Sequence, residues 1–338
     1  STYTSRGGGL NVGYSGTEAW NASFALSYNR TDFELPGSLT KAQYERDRRQ
    51  AANPDDDGVN TDFHANLSLD ARFGDAGSLS LPFLYGSKEI TANYRSMAAY
   101  SEVDLDTYAF TPRYVLARNL FNHLNTLTVG LDYYDEELDK DGFGDREQRE
   151  KINTAEFSRK SLGVYARNEL FVLEDLILTL GYRTERAKIE GRERLADGTL
   201  AIPDSEKVHH AEAFESALTW LFGEKSKAFA KYATVFRYPF LDEQASYYGF
   251  GAGWDQFQTD LDKEKGKTYE VGVLFYPLPN LSVDLTLYRI DMEDEIAWDG
   301  TANRNLDKTR HEGIELGASY RWEKVAKIYG QMSLRNAE

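Results

Sequence analysis

The residues with the clearest metal-binding potential are the carboxylates of ELDKDGFGD, residues 137–145. They surround a glycine roughly as in a calcium-binding loop: Glu137, Asp139, Asp141 and Asp145 around Gly142. Such a loop needs a bidentate glutamate at its twelfth position, where this chain has Gln148. Because the pattern is incomplete, we expect a solvated acidic loop, with loop calcium as the alternative, and no other cofactor.

Histidine and glycine patterns give no further chemistry. His209 and His210 are adjacent, so on a strand they point to opposite faces and cannot share a metal ion. The glycines of GFGAG, residues 249–253, lie in a polar segment that no helical pattern follows, which predicts a loop and not a nucleotide site. The chain has no cysteine, so thiolate chemistry and disulfides are excluded. We therefore predict that the protein is not an enzyme.

Composition limits the partners. The formal net charge is -16, and nucleic acid is excluded as a partner because phosphate binding needs a basic face. No apolar run approaches the ~18 residues that a transmembrane helix needs. Hydropathy does not exclude a membrane β-barrel, because the inward-facing polar residues of such a barrel lower the mean hydropathy of each strand.

Apolar and polar residues alternate along almost the whole chain, which predicts β-strands. In DFHANLSLDARFG, residues 62–74, Phe63, Leu67 and Leu69 share one face, and His64 and Asn66 lie on the other. We count about fourteen such strands. Short connections such as GDAG, 74–77, alternate with longer, mostly acidic ones: 32–60, 92–103, 138–158, 191–209, 238–266 and 292–309. Tight turns at one end and long loops at the other are typical of outer-membrane barrels.

The polar faces and the strand ends indicate that lipid surrounds the sheet. Polar faces carry charges of both signs, which a wide barrel can hydrate, among them Arg72, Asp132, Arg183, Glu215 and Glu270. Aromatic residues gather near strand ends, as in an interfacial girdle: Phe73, Trp220, Phe222, Phe275, Tyr320 and Trp322. A soluble β-protein with a shared apolar core is the alternative reading.

Several segments resemble TonB-dependent outer-membrane receptors. FRYPFLDEQ, 236–244, is similar to their F-R-x-P-x-L-x-E segment, at Phe236, Arg237, Pro239, Leu241 and Glu243. LDKEKGKTYEVG, 261–272, resembles the L-x-P-E and y-E-x-G pair that follows, with Lys263 in place of the proline. LYRIDMEDEI, 287–296, and HEGIELGASY, 311–320, resemble the next two strands. FELPGSLTKAQY, 33–44, resembles an early loop of receptors of the ferric-siderophore type.

The resemblance implies an all-β fold, a transmembrane antiparallel up-and-down β-barrel. The chain would supply about fourteen of its about twenty-two strands. It implies that residues 1–338 are a single partial barrel domain, without the N-terminal plug domain, the first strands and the closing strands. Proline cannot donate a hydrogen bond to a β-ladder, so Pro239 marks the end of a strand. We expect Arg237 and Glu243, which belong to the same landmark, to have an architectural role and not to bind the ligand.

The same resemblance implies import of a scarce ligand, foremost a ferric siderophore, across the outer membrane of a Gram-negative cell. Outer-membrane lipid surrounds such a barrel, and TonB acts through the plug. Arginine forks match carboxylate-rich ligands, and aromatic rings pack on planar ones. The loop and upper-lumen residues expected to bind the ligand are Tyr94, Arg95, Tyr134, Tyr247, Tyr248, Phe250, Trp254, Trp298 and Arg304.

Two alternatives stay open. Cobalamin, haem, a redox cofactor or a glycan could replace the siderophore, since the loops that set ligand identity carry the least pattern. A passive porin or an adhesive barrel is the second, and it predicts no plug and a constriction loop folded into the lumen. For each candidate binding residue, an aromatic or arginine side chain that only packs on its neighbours is the alternative reading.

Overall fold

One antiparallel sheet contains the fifteen strands of the described residues. The computed structural model describes residues 2–17, 19–120, 122–145, 147, 150–245, 257–323 and 325–338. The first eight strands are β1 Tyr3–Thr17, β2 Trp20–Glu34, β3 Asp57–Arg72, β4 Ser78–Tyr94, β5 Ala99–Phe110, β6 Arg113–Leu120, β7 His123–Phe143 and β8 Lys151–Leu173. The others are β9 Leu176–Leu195, β10 Leu200–Phe222, β11 Ser226–Arg237, β12 Glu264–Leu278, β13 Leu281–Trp298, β14 Asn303–Trp322 and β15 Ala326–Ala337. Two short helices, α1 Lys41–Arg46 and α2 Leu241–Ala245, lie in connections.

Strands that follow each other in sequence are neighbours in the sheet, as expected for an up-and-down barrel wall. The exception is that β5 and β6 share one place between β4 and β7. Their ladder is interrupted at Thr111 and Pro112, and β4 carries Pro82 at the same level. Proline has no N–H to donate, so the two prolines weaken the ladder there. Fifteen strands therefore fill fourteen places, which confirms the expected number of wall positions.

The register places apolar side chains on one face of the sheet, here called the outer face. On β10 this face carries Phe214, Leu218 and Trp220, exposed by 41%, 45% and 50%. Leu218 and Trp220 lie opposite Leu178 and Leu176 of β9. The inner face carries the alternate residues, such as Arg183 on β9 opposite Ala213 on β10. Such a sheet presents apolar residues to lipid and polar residues to a lumen.

Strands at the long-loop end continue beyond the apolar band. On β9 the outer face changes from Leu180 and Tyr182 to Arg186 and Lys188. The expected loop bounds were therefore wrong, because the connections are only 35–56, 95–98, 144–150, 196–199, 238–263 and 299–302. Cross-strand ion pairs such as Lys188–Glu206, at 2.9 Å, let a strand continue in water without an apolar face.

Aromatic side chains cluster at the short-turn end, where the sequence predicts a girdle. Trp220 and Phe222 have ring centroids 4.9 Å apart, and Phe222 lies 6.3 Å from Phe275 on β12. Tyr14 and Trp20 form a similar pair, at 5.2 Å, on the first two strands. Within the described residues, no helix is long and apolar enough to cross a membrane.

Candidate functional site

The described parts of the connection between β11 and β12, residues 238–245 and 257–263, lie against the inner face of the sheet. The helix α2 buries Leu241, exposed by 6%, and Ala245, which is fully buried. These two side chains join a cluster with Phe157 of β8 and Ile189 of β9. The larger of the two buried apolar clusters among the described residues thus lies inside the wall, at the long-loop end, and not within the apolar band.

Arg237, the last residue of β11, forms hydrogen bonds to both β12 and α2. Its Nε and Nη2 donate to the two carboxylate oxygens of Glu264 on β12, at 2.8 and 2.6 Å. Its Nη1 donates to Glu243 of α2 at 2.6 Å. Glu264 also accepts from the backbone N–H of Ile296 at 2.9 Å, and Glu243 accepts from that of Phe240 at 2.8 Å. Charge-assisted and bidentate bonds are the strong ones, so this network has the architectural role that the sequence predicts.

Gln244 and His209 form a second attachment. The amide nitrogen of Gln244 donates to the backbone carbonyl of Gln258, whose N–H donates back to the carbonyl of Gln244 at 2.7 Å. The Gln244 Oε1 atom is then an acceptor, so His209 Nε2, 2.9 Å away, is the donor. Burial lowers the pKa of His209 and outweighs the opposite effect of this hydrogen bond.

Three further contacts hold the connection to strands that are distant in sequence. Tyr238 is buried and donates its hydroxyl to the backbone carbonyl of Glu185 at 3.1 Å. Arg159 of β8 donates to the carbonyl of Pro239 at 3.1 Å. Asn305 of β14 exchanges two hydrogen bonds with the backbone of residue 262, both at 2.8 Å.

Ion pairs line the inner face below this connection. Arg183 pairs with Asp132 of β7 and with Glu185 of its own strand. Two more pairs, Arg167–Glu215 at 3.5 Å and Lys231–Glu270 at 3.4 Å, extend the row from β8 to β12. Such a wall can exchange hydrogen bonds and ion pairs with a polar ligand or domain, which is binding chemistry and not bond-making chemistry.

Three of the four predicted calcium residues lie on a strand, and Asp145 lies in the connection that follows it. Glu137, Asp139 and Asp141 project from the outer face of β7, and Gln148 is outside the described residues. Asp139 faces Asp104 of β5, and burial, followed by neighbouring carboxylates, raises the pKa of both. Among the described residues, no group of three or more His, Asp or Glu could hold a metal ion. Calcium binding stays a prediction.

The structure places five of the predicted ligand residues. Tyr94 ends β4, and Arg95 begins the turn that follows, 3.9 Å from Asp57. Trp298 ends β13 and is 44% exposed, and Arg304 at the start of β14 pairs with Asp299. Tyr134 lies on the inner face of β7 and not in a loop.

The remaining predicted residues are outside the described part of the chain: Tyr247, Tyr248, Phe250 and Trp254. The two ends of their segment, Ala245 and Phe257, both contact the inner cluster. The described candidates come from connections with β5 to β12 between them along the sheet, so the structure does not gather them into one described cluster.

Sequence reasoning missed the residues that attach the connection to the wall: His209, Tyr238, Gln244 and Arg159. One local signal was present, since Leu241 and Ala245 follow Pro239 at a spacing of one helical turn in an otherwise polar segment. Their partners on β8 to β10 lie 35 to 80 positions away, and no local pattern indicates them.

The comparisons with known proteins concern nearly the whole chain. The family model described as "TonB dependent receptor-like, beta-barrel" matches residues 2–336. None of the curated proteins matches the sequence.

Solved structures share the fold at low identity. The ferric citrate transporter FecA in its unliganded form has a TM-score of 0.78 and 18% identity, over 99% of this chain and 51% of its own. The copper transporter OprC has a TM-score of 0.76 and 15% identity, over 99% and 53%. The ferric-catecholate import receptor Fiu from K12 E. coli, in its closed form, has a TM-score of 0.75 and 13% identity, over 99% and 58%. The chain therefore spans about half the length of these proteins, and the likeness shows the fold alone.

Proposed function

The chain belongs to the TonB-dependent receptor-like β-barrel family, and from this we propose that it forms part of the wall of an outer-membrane receptor that imports a scarce ligand. The family is one of transport receptors and not of enzymes. The observation that carries the proposal is the family match over residues 2–336. The family match agrees with the apolar outer face, the polar inner face and the strands that extend beyond the apolar band.

The ligand that we propose is a chelated metal ion, foremost a ferric siderophore. The structural neighbours include a ferric citrate transporter, a ferric-catecholate receptor and a copper transporter, so the neighbours share metal cargo in several chemical forms. Arginine and aromatic side chains at the long-loop end, such as Arg95, Trp298 and Arg304, suit anionic chelates with planar groups.

The proposed mechanism needs no bond-making step. The ligand is captured at the long-loop end, outside a Gram-negative cell, and TonB acts through a plug domain elsewhere in the full-length protein. The inner-face ion pairs of Arg183 and Lys231 offer exchangeable partners to that plug and to the passing ligand.

Uptake by cells tests this proposal. A strain lacking the gene is compared with the same strain carrying it, using radiolabelled iron as citrate, catecholate and hydroxamate complexes, and radiolabelled copper. We expect gene-dependent uptake of at least one complex that stops when a protonophore removes the inner-membrane driving force. Uptake that depends on the gene but survives the protonophore would replace the proposal with the porin alternative.

One observation favours the porin as a second candidate function. A porin is expected to carry a constriction loop on its inner wall, and residues 238–245 and Phe257 lie against the inner face. The protonophore arm separates the two functions, because passive diffusion does not need TonB.

Single substitutions test the predicted ligand residues. We expect Arg95→Ala, Trp298→Ala and Arg304→Ala each to weaken ligand binding roughly tenfold, because the few residues that carry most of an interface's binding energy are enriched in tryptophan and arginine. Lys41→Ala, in the connection 35–56, is the control. Calorimetric titration of the full-length receptor measures the affinities, and unchanged values would remove these residues from the site.

A further inference from the structure

The helix α2 has one side against the wall and one side turned away from it. Leu241, Gln244 and Ala245 are buried against β8 to β10, so they form the side toward the wall. Phe240 and Asp242 are exposed and lie outside this buried side. Because α2 rests on the inner face of the sheet, its exposed side faces the lumen.

The ring of Phe240 is held in place although it is exposed by 55%. The guanidinium carbon of Arg237 lies 4.8 Å from the ring centroid, which is a cation–π distance. The Phe240 N–H donates to Glu243 at 2.8 Å, and that carboxylate pairs with the same Arg237. An exposed ring that is already fixed loses little freedom when a ligand packs on it.

A second aromatic residue, Tyr134, borders the same part of the lumen. It lies on the inner face of β7 and is 38% exposed. The charge of Glu185 acts on Tyr134, and the Glu185 backbone carbonyl accepts from the Tyr238 hydroxyl at 3.1 Å. Tyr238 comes two positions before Phe240, so Glu185 has Tyr134 on one side and the start of α2 on the other.

The arginines around these two rings are already engaged. Each is paired with one or two carboxylates: Arg237 with Glu243 and Glu264, Arg183 with Asp132 and Glu185, and Arg159 with Glu136. Five carboxylates thus face three arginines, and the exposed Asp242 adds a sixth. A strongly anionic ligand would meet like charge here, which lowers its affinity.

We propose that Phe240 and Tyr134 form a lumen subsite that selects metal chelates with an aromatic ring and little net negative charge. This inference rests on the proposed import function and narrows its ligand. The two rings offer stacking partners to a planar group, which adds to the affinity beyond the area that is buried. The excess of carboxylates acts against polyanionic complexes such as ferric citrate.

Four ferric complexes separate the ring from the charge in binding assays on the purified full-length receptor. A hydroxyphenyl-thiazoline chelate has a ring and little charge, and a tris-catecholate has rings and a high negative charge. A linear trihydroxamate has neither, and citrate has the charge without a ring. We expect the hydroxyphenyl-thiazoline complex to bind roughly tenfold more tightly than each of the other three.

Phe240→Leu keeps an apolar side chain but removes the ring. It should weaken binding of the hydroxyphenyl-thiazoline complex about threefold to tenfold, the loss expected for one aromatic pair, and leave the trihydroxamate unchanged. Tyr134→Leu should act in the same way. The matched control is Tyr44→Leu, which removes an exposed ring from the connection 35–56 and should change neither affinity.

Asp242→Asn tests the charge. It should strengthen binding of citrate and of the tris-catecholate at low salt, and high ionic strength should remove this gain because salt screens exposed charges. Binding of the trihydroxamate should not change. An equal gain for all four complexes would contradict selection by charge.

Equal losses for the trihydroxamate and the hydroxyphenyl-thiazoline complex in Phe240→Leu would indicate a general effect on α2 and overturn the inference. Tighter binding of citrate or of the tris-catecholate than of the hydroxyphenyl-thiazoline complex would also overturn it. Failure of the import proposal has a different result, since then no complex enters cells in a protonophore-sensitive way. Protonophore-sensitive uptake of citrate alone would keep the import proposal and overturn this inference.

Discussion

Two connections at the same end of the sheet are held in opposite ways. The connection 238–263 is attached to the inner face through Arg159, His209 and Glu185, which belong to three different strands. The connection 299–302 is held by Asp299, which accepts from Thr301 at 2.8 Å and from Ala302 at 2.9 Å. Asp299 also pairs with Arg304.

The two connections differ in whether other strands must be paired before the connection can take up its structure. Local hydrogen bonds of the Asp299 kind make a turn that needs only its own residues. The attachment of 238–263 needs β8 to β10 in register, so it exists only when that part of the wall exists. The stability of a connection built in this way depends on the pairing of β8 to β10, whereas the stability of the turn at Asp299 does not.

The largest expected effect comes from exchanging the segment between the two attached ends of the longer connection. Replacing residues 246–256 with a glycine–serine linker of equal length should abolish ligand binding, because four of the nine predicted ligand residues lie there. Residues 299–302 replaced in the same way are the control. Calorimetry measures affinity, and heat-modifiable migration in gels confirms a folded barrel. Unchanged affinity would exclude the segment from the site.

The next effect concerns Arg237. Arg237→Gln leaves Glu243 and Glu264 without their cation, and the side chain of Glu264 is only 9% exposed. We expect the protection of 238–245 and 257–263 against hydrogen exchange to fall by roughly 2–4 kcal/mol. The control is Arg304→Gln, whose exposed pair should matter little. Equal effects from both variants would contradict the view that the two connections are held differently.

Acid should loosen the longer connection before the shorter one. Since burial lowers the pKa of His209 below its ordinary 6.5, the attached state binds fewer protons than the detached state. The free energy that favours the attached state is therefore fully present above pH 6.5. It falls as the pH drops below 6.5, by up to about 1.4 kcal/mol per pH unit. Tyr238, Lys207, Asp262 and Lys263 are the other titratable groups near the ring.

Hydrogen exchange of 238–245 from pH 7 to pH 5 measures this response. His209→Gln should remove the pH dependence, while His210→Gln, on the adjacent exposed residue, should leave it intact. Exchange in the His209→Gln variant that still accelerates with acid would assign the effect to another group.

The smallest effect is expected at Asp299. Hydrogen bonds, first from the Thr301 side chain and then from backbone N–H groups, hold the pKa of Asp299 below its ordinary 3.8. The turn therefore keeps its stabilisation above pH 3.8 and loses it only in stronger acid. Asp299→Ala should speed exchange at residues 301–304 and nowhere else, and any change in 238–263 would show that the connections are coupled.

Sequence reasoning predicted the wall better than the attachments. Alternation of period two fixed which of Phe63 and His64 faces lipid, because that assignment depends only on neighbouring residues. It assigned the strand extensions at 191–195 and 200–209 to a loop, since charged cross-strand pairs replace the apolar face there. The pairing of His209 with Gln244 joins residues 35 positions apart, and no local rule indicates it.

The predicted ligand residues show the same limit. Trp298 and Arg304 were expected near a loop, and they do flank one, because their segment ends two strands by a local turn. Tyr134, the residue of this set on the wall, lies on the inner face of β7, which agrees with a lumen position. Neither placement says what binds, which the substitutions above address.

The strand extensions beyond the apolar band constrain how this protein can change in length during evolution. Inner and outer residues alternate on both arms of each hairpin, and Glu193 is fully buried on the inner side of β9. An odd insertion below Glu193 would turn that carboxylate outward and Arg192 inward. Homologues should therefore gain or lose residues here as pairs on each arm, unless a β-bulge absorbs the odd residue, as the register shifts between Leu200 and Ser205 of β10 do.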